Sequence, residues 1–129
     1  MAMNLRNEKF KAAFDKLALN ELRVKELTNN NIVDVRNLED GKPVKIAGVI
    51  TWLNVPESTK DGSMALFTIE DTSGVAVQVV AFSKLYKTDG KKLFEGAIAI
   101  VAGCVDRAER DVNTMIIASQ VVSLEDVVT

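Results

Sequence analysis

A chain of 129 residues that is 47% hydrophobic can bury one real core and carry a modest extension besides. Its net charge of −2 gives no bulk attraction to nucleic acid, and neither part of the chain differs. Residues 1–41 hold seven basic and seven acidic side chains, and residues 42–129 hold nine and eleven, so any such affinity must come from a local groove.

Histidine is absent, which removes the commonest general base and metal ligand. A single cysteine, Cys104, excludes an internal disulfide and a cysteine-based zinc site. It lies in the apolar run Ile98–Val105, where a buried thiol is expected. No signal-peptide pattern opens the chain and its apolar runs are short, so a cytoplasmic, membrane-free location is expected.

From Asn4 to about Leu27 the sequence predicts helix. Phe10, Ala13, Phe14 and Leu17 fall at i, i+3, i+4 and i+7, with charged residues on the rest of the wheel. Asn20, and the drift of Leu22, Val24 and Leu27 off that stripe, predict a kink or a second short helix. The stripe should dock on the chain's own domain, the alternative being a partner or another copy. Thr28–Asn31 breaks the helix with residues that favour caps and turns. Ile32–Leu38 reads as a short extended link, and Asp40-Gly41 as a turn.

Five strands follow. In the first, Val44, Ile46 and Ile50 alternate with Lys45, Ala47 and Thr51, while Gly48 marks a bulge or a sharp coil at a barrel corner. Asn54–Ser63 is a long hairpin loop. The second strand, Met64–Glu70, places Ala65, Phe67 and Ile69 on one face. After the Asp71–Gly74 turn, the third, Val75–Phe82, has Val77, Val79 and Ala81 inside and Gln78, Val80 and Phe82 outside, with a bulge expected near Val75-Ala76. Ser83 opens a short helix that ends near Asp89-Gly90. The fourth strand is Ala97–Asp106, with Gly103 inside it; Arg107–Asp111 is a charged loop, and the fifth strand is Val112–Leu124. Three strands, a short helix and two strands is the order of an all-β, five-stranded OB-fold barrel. The expected organisation is an N-terminal helical extension and link over 1–41 and the barrel domain over 42–129.

The segments Val44–Ile50 and Met64–Gly74 resemble the tRNA-anticodon-type OB-fold superfamily. Phe94–Val105 and Ile117–Glu125 are most similar to the OB domain near the C-terminus of the bacterial DNA polymerase III alpha subunit. The resemblance covers residues 42–126. It implies a non-catalytic module that binds single-stranded DNA, or RNA, with replication proteins as further partners and no cofactor. Three departures stand out: one basic residue, Lys60, in a first loop that is usually more basic; Leu66 where relatives often hold a stacking phenylalanine; and a third strand that reaches Phe82 one residue late. They predict weak binding.

OB-folds bind extended strands across the outer face of strands 2 and 3, rimmed by the loops between strands 1 and 2 and between strands 4 and 5. The candidate contacts are Trp52, Asn54, Lys60, Leu66, Thr68, Gln78, Val80, Phe82, Lys84, Arg107 and Arg110. Trp52 and Phe82 are either stacking platforms or core residues. Gln78 is either a base-edge contact or a solvated side chain. Lys60, Arg107 and Arg110 have acidic neighbours and read more readily as plain loop charges than as phosphate contacts. The cluster Lys84, Lys87, Lys91 and Lys92 reads as a solvated helix face.

No phosphate-binding loop, dinucleotide fingerprint or paired-carboxylate site occurs, so an enzyme is not expected. A protein-interaction domain is the alternative, because Met64, Leu66 and Val80 would make the outer face apolar.

Overall fold

A computed structural model describes residues 8–56, 64–107 and 114–127. Five strands close into a barrel in the order β1-β2-β3-β5-β4: β1 is Pro43–Asn54, β2 Ala65–Glu70, β3 Ala76–Ala81, β4 Ile98–Asp106 and β5 Met115–Ser123. Every contact is antiparallel except β3 with β5. Helices α1 (Lys11–Leu19), α2 (Glu21–Leu27) and α3 (Ile32–Val35) precede the barrel, and α4 (Ser83–Asp89) joins β3 to β4. The all-β class, the strand count and the short helix after the third strand agree with the expectation.

β1 is the strand that makes closure possible. Its first half, Pro43–Val49, pairs with β4, and its second half, Val49–Asn54, pairs with β2. Gly48 lies where the strand changes partners, consistent with the expected corner. The β1 register shift falls between Ile50 and Trp52, and a second one sits at Ala102/Gly103 against β5. The expected bulge at Val75-Ala76 does not form. The Asp71 N–H donates to the Val75 carbonyl, so the turn itself takes up the extra residue, and Gly74 supplies the positive φ the turn requires.

The barrel interior is filled by alternate residues of every strand, among them Ile46, Ile50, Phe67, Ile69, Val79, Val101, Ile116 and Val121. The inside phases predicted for the first three strands all hold. Removing one such apolar side chain from water is worth about 1.5–3 kcal/mol.

The N-terminal helices break at Asn20, as expected, and Asn20 hydrogen-bonds back to the Lys16 carbonyl. Phe10 and Leu17 are buried against Val49, with Ala13, Phe14 and Ile98 around them. Val49 points out of the barrel, so this helix covers a sheet face that would otherwise be exposed and apolar.

The segment read as an extended link instead contains the one-turn helix α3. Ile32 and Val35 join the barrel core, and α3 packs against β1 and β3. Burial on one side at i and i+3 stabilises a turn that four residues could not hold alone. Leu85, Tyr86 and Leu93 pack against the same core from the α4 side.

Candidate nucleic-acid interface

Cross-strand register decides which candidate residues meet. Trp52 stands opposite Thr68, and Thr68 opposite Gln78; Met115 and Asp106 continue the same row across β5 and β4. The next outward row is Asn54, Leu66, Val80, Ile117 and Cys104. Between the two lies the inward row Leu53, Phe67, Val79, Ile116 and Val105, which packs in the core. The two outer rows therefore form one continuous surface over β1, β2, β3 and β5.

The surface is mixed. Trp52 is 42% and Phe82 51% exposed, so neither is a core residue. Phe82 immediately follows β3 and keeps an extended backbone at the N-cap position of α4. Ser83, expected to cap that helix, is its first residue instead. Gln78 and Asn54 are exposed; Thr68 and Leu66 are half-buried. Val80 is only 5% exposed although it faces outward, because Leu66 and Ile117 flank it on either side. The centre of the face is thus a low apolar strip between two aromatic rings and a polar Thr68–Gln78 pair.

Cys104 corrects an expectation. Its thiol is exposed, not buried. β4 is apolar up to its final Asp106, so its sequence gives little phase; the pairing of Gly103 with Val44 turns Cys104 outward.

The cations are distributed unevenly. Lys84 is exposed, two residues beyond Phe82. Arg107 is tied down: its guanidinium Nη1 donates to the carbonyls of Arg36 and Leu38 (2.9 Å for the latter), and its backbone N–H donates to Asp40 Oδ1 at 2.9 Å. Lys60 and Arg110 lie outside the described residues. Of the helix-side cluster, Lys84, Lys87 and Lys91 are solvated as expected, but Lys92 clamps β5. It donates to Asp89 Oδ1 (3.2 Å) and to the Val121 carbonyl (3.0 Å), while Asp89 Oδ2 accepts the Val121 N–H. Asp106 ends the Trp52 row with a carboxylate, which disfavours a phosphate there.

Sequence reasoning missed Met115 and Ile117 as outer-face residues. Alternation along Met115–Ala118 carries the signal, since Ile116 and Ala118 are buried while Met115 and Ile117 are not, but all four are apolar. Among the described residues, no group of three or more acidic or cysteine side chains is placed to hold a metal ion. No helix among them is long and apolar enough to cross a membrane.

No protein-family model matches the sequence, and no curated protein matches it. Solved structures do. An OBody bound to hen egg-white lysozyme is 18% identical over 75% of this chain and 94% of its own, with a TM-score of 0.58. The second single-stranded DNA-binding protein of Mycobacterium smegmatis is 18% identical over 69% of this chain and 94% of its own, also at 0.58. The chain has the OB-fold. At these identities the likeness carries the fold alone. Asparaginyl-tRNA synthetase from Pyrococcus horikoshii, complexed with asparaginyl-adenylate, is 24% identical over 66% of this chain but only 19% of its own, with a TM-score of 0.50.

Proposed function

We propose that this OB-fold is a non-catalytic module that binds single-stranded nucleic acid weakly, across the outer face of β1, β2 and β3. The observation that carries the proposal is the exposed Trp52, standing in one row with Thr68 and Gln78. A base stacked on an aromatic platform of this kind contributes about 1–3 kcal/mol. Gln78, on the same row, offers an amide donor and acceptor to a base edge. Asn54, Leu66, Val80 and Phe82 extend the track, and Lys84 and Arg107 stand at its margins. Lys60 and Arg110 complete the sequence-based site.

On this reading residues 42–129 are the binding module and residues 1–41 its extension. The replication role, with the chain acting as part of a polymerase or as a small relative of its module, rests on the sequence resemblance to the polymerase III alpha branch. The single-stranded DNA-binding protein among the structural neighbours supports the ligand class only in general terms.

One observation favours a second reading. Leu66, Val80 and Ile117 make an apolar row on the same face, suited to a peptide or another subunit. Titration of labelled oligo-dT and oligo-U at low and at physiological salt tests the first reading. Chemical-shift changes clustered at Leu66, Gln78 and Phe82 support it. No shifts at millimolar oligonucleotide in low salt would sink it and leave the protein-interaction reading.

A further inference from the structure

Arg107 reads from sequence as a loop cation, yet it hydrogen-bonds to residues 36, 38 and 40, none of them a candidate contact. Two residues at the end of β4, Val105 within it and Arg107 just past it, are joined to the segment 36–42. The Gly41 N–H donates to the Val105 carbonyl at 2.7 Å, and the Val105 N–H donates to the Lys42 carbonyl at 2.9 Å. The Arg107 backbone N–H is held by Asp40 Oδ1. Its guanidinium then reaches the carbonyls of Arg36 and Leu38. These two carbonyls follow α3, whose last turns are closed by Asn37 N–H to Asp34 and Leu38 N–H to Val35. A chain leaving a helix presents carbonyls that need donors, and Nη1, with two hydrogens, serves two of them at once.

The consequence reaches the candidate interface through register. Asp106, the neighbour of Arg107, pairs with Met115, and Met115 pairs with Gln78, so all three belong to the row that carries Trp52. We infer that Arg107 is a positioning residue for the binding face: it bolts the end of β4 to the α3 segment and thereby fixes the Met115–Gln78 end of the Trp52 row. The inference deepens the nucleic-acid reading and, for its binding arm, rests on it. It also gives the N-terminal segment a part in ligand binding without a ligand contact.

A phosphate contact and a positioning role predict different outcomes. Lysine keeps the charge, but its Nζ ends one bond short of Nη1, the nitrogen that serves both carbonyls, so Arg107→Lys separates them. The test uses the full chain, as wild type, Arg107→Ala and Arg107→Lys, below the melting temperature of each. Anisotropy titrations with labelled oligo-dT are run over a range of salt, and amide spectra are recorded without ligand.

The expected result is that both variants bind roughly tenfold more weakly, the order of one hydrogen bond to a charged group. The log–log salt slope should stay that of wild type. The ligand-free amide signals of Gln78 and Met115 should shift together with those of residues 36–42. Normal binding by Arg107→Lys, with a slope shallower by about 0.7 in Arg107→Ala, would mean a phosphate contact and overturn the inference. Unchanged binding by Arg107→Ala would overturn it too. If wild type binds no oligonucleotide, the nucleic-acid reading falls by itself. The ligand-free spectra then decide: shifts at Gln78 and Met115 uphold the positioning role, and shifts confined to 36–42 refute it.

Discussion

The carbonyl oxygen of Glu70 lies where a side chain on Gly48 would have to go: a Cβ built on Gly48 stands 2.6 Å from that oxygen and 2.9 Å from Ile69 Cγ1. The end of β2 crosses β1 so closely here that only hydrogen fits. This is the corner at which β1 passes from β4 to β2, and it closes the barrel. Gly48→Ala should therefore destabilise the fold by about 1–3 kcal/mol, since a backbone atom rather than a flexible side chain must give way. Urea unfolding monitored by Trp52 fluorescence measures it. A loss below about 0.5 kcal/mol would mean that the corner tolerates a wider crossing.

Phe67 tests the interior. Fully buried in the inward row between Leu53 and Val79, it should cost about 3–5 kcal/mol on replacement by alanine. In a domain of typical stability, about 5–15 kcal/mol, that comes close to unfolding it. A thermal melt showing less than about 1 kcal/mol lost would reverse the inside and outside of β2, and the proposed face with them.

The docked helix makes a separate prediction. Leu17 and Phe10 are buried on Val49, an outward residue of β1, so α1 is integral to the fold and not a tether. Leu17→Ala should cost about 2–3 kcal/mol, the lower part of the range for such truncations, because the site borders solvent and can partly collapse. Deleting residues 1–30 should expose Val49 and Ile98 and lower solubility or melting temperature. A truncated barrel that melts unchanged would refute the docking.

For the binding face, Trp52→Ala and Phe82→Ala should each weaken oligo-dT binding by about 1–3 kcal/mol per stacked base while leaving the salt slope nearly unchanged. Duplex DNA should bind less well, because its bases are not free to stack. Equal affinity of wild type and Trp52→Ala would remove Trp52 from the site.

Cys104 is a built-in reporter for the same surface. Being exposed on the row with Ile117 and Val80, it should react stoichiometrically with a thiol reagent in the native protein. A thiol that reacts only after denaturation would place Cys104 back in the core.

Much of this could be read from the chain itself. Strands β1, β2 and β3 alternate clearly, so their inner faces, and with them the outward direction of Leu66, Gln78 and Phe82, follow from a period of two. The Phe10–Leu17 stripe likewise announces a buried helix face, and Asp89-Gly90 announces the end of α4. These signals are local, and each rests on a contrast between apolar and polar neighbours.

Where that contrast is missing, only the tertiary structure decides. β4 is apolar almost from end to end, so nothing in its sequence says that Val105 faces in and Cys104 out; pairing with β1 does. Ile32–Val35 has the composition of a strand, and becomes a helical turn because the open end of the barrel needs Ile32 and Val35 on one side. Arg107 looks like any loop cation until the fold brings two carbonyls from residues 36 and 38 to its guanidinium. Local pattern determines which way a strand faces. Partners distant in sequence determine what a charge or a thiol is for, because its neighbours in space are set by closing the barrel and not by the chain around it.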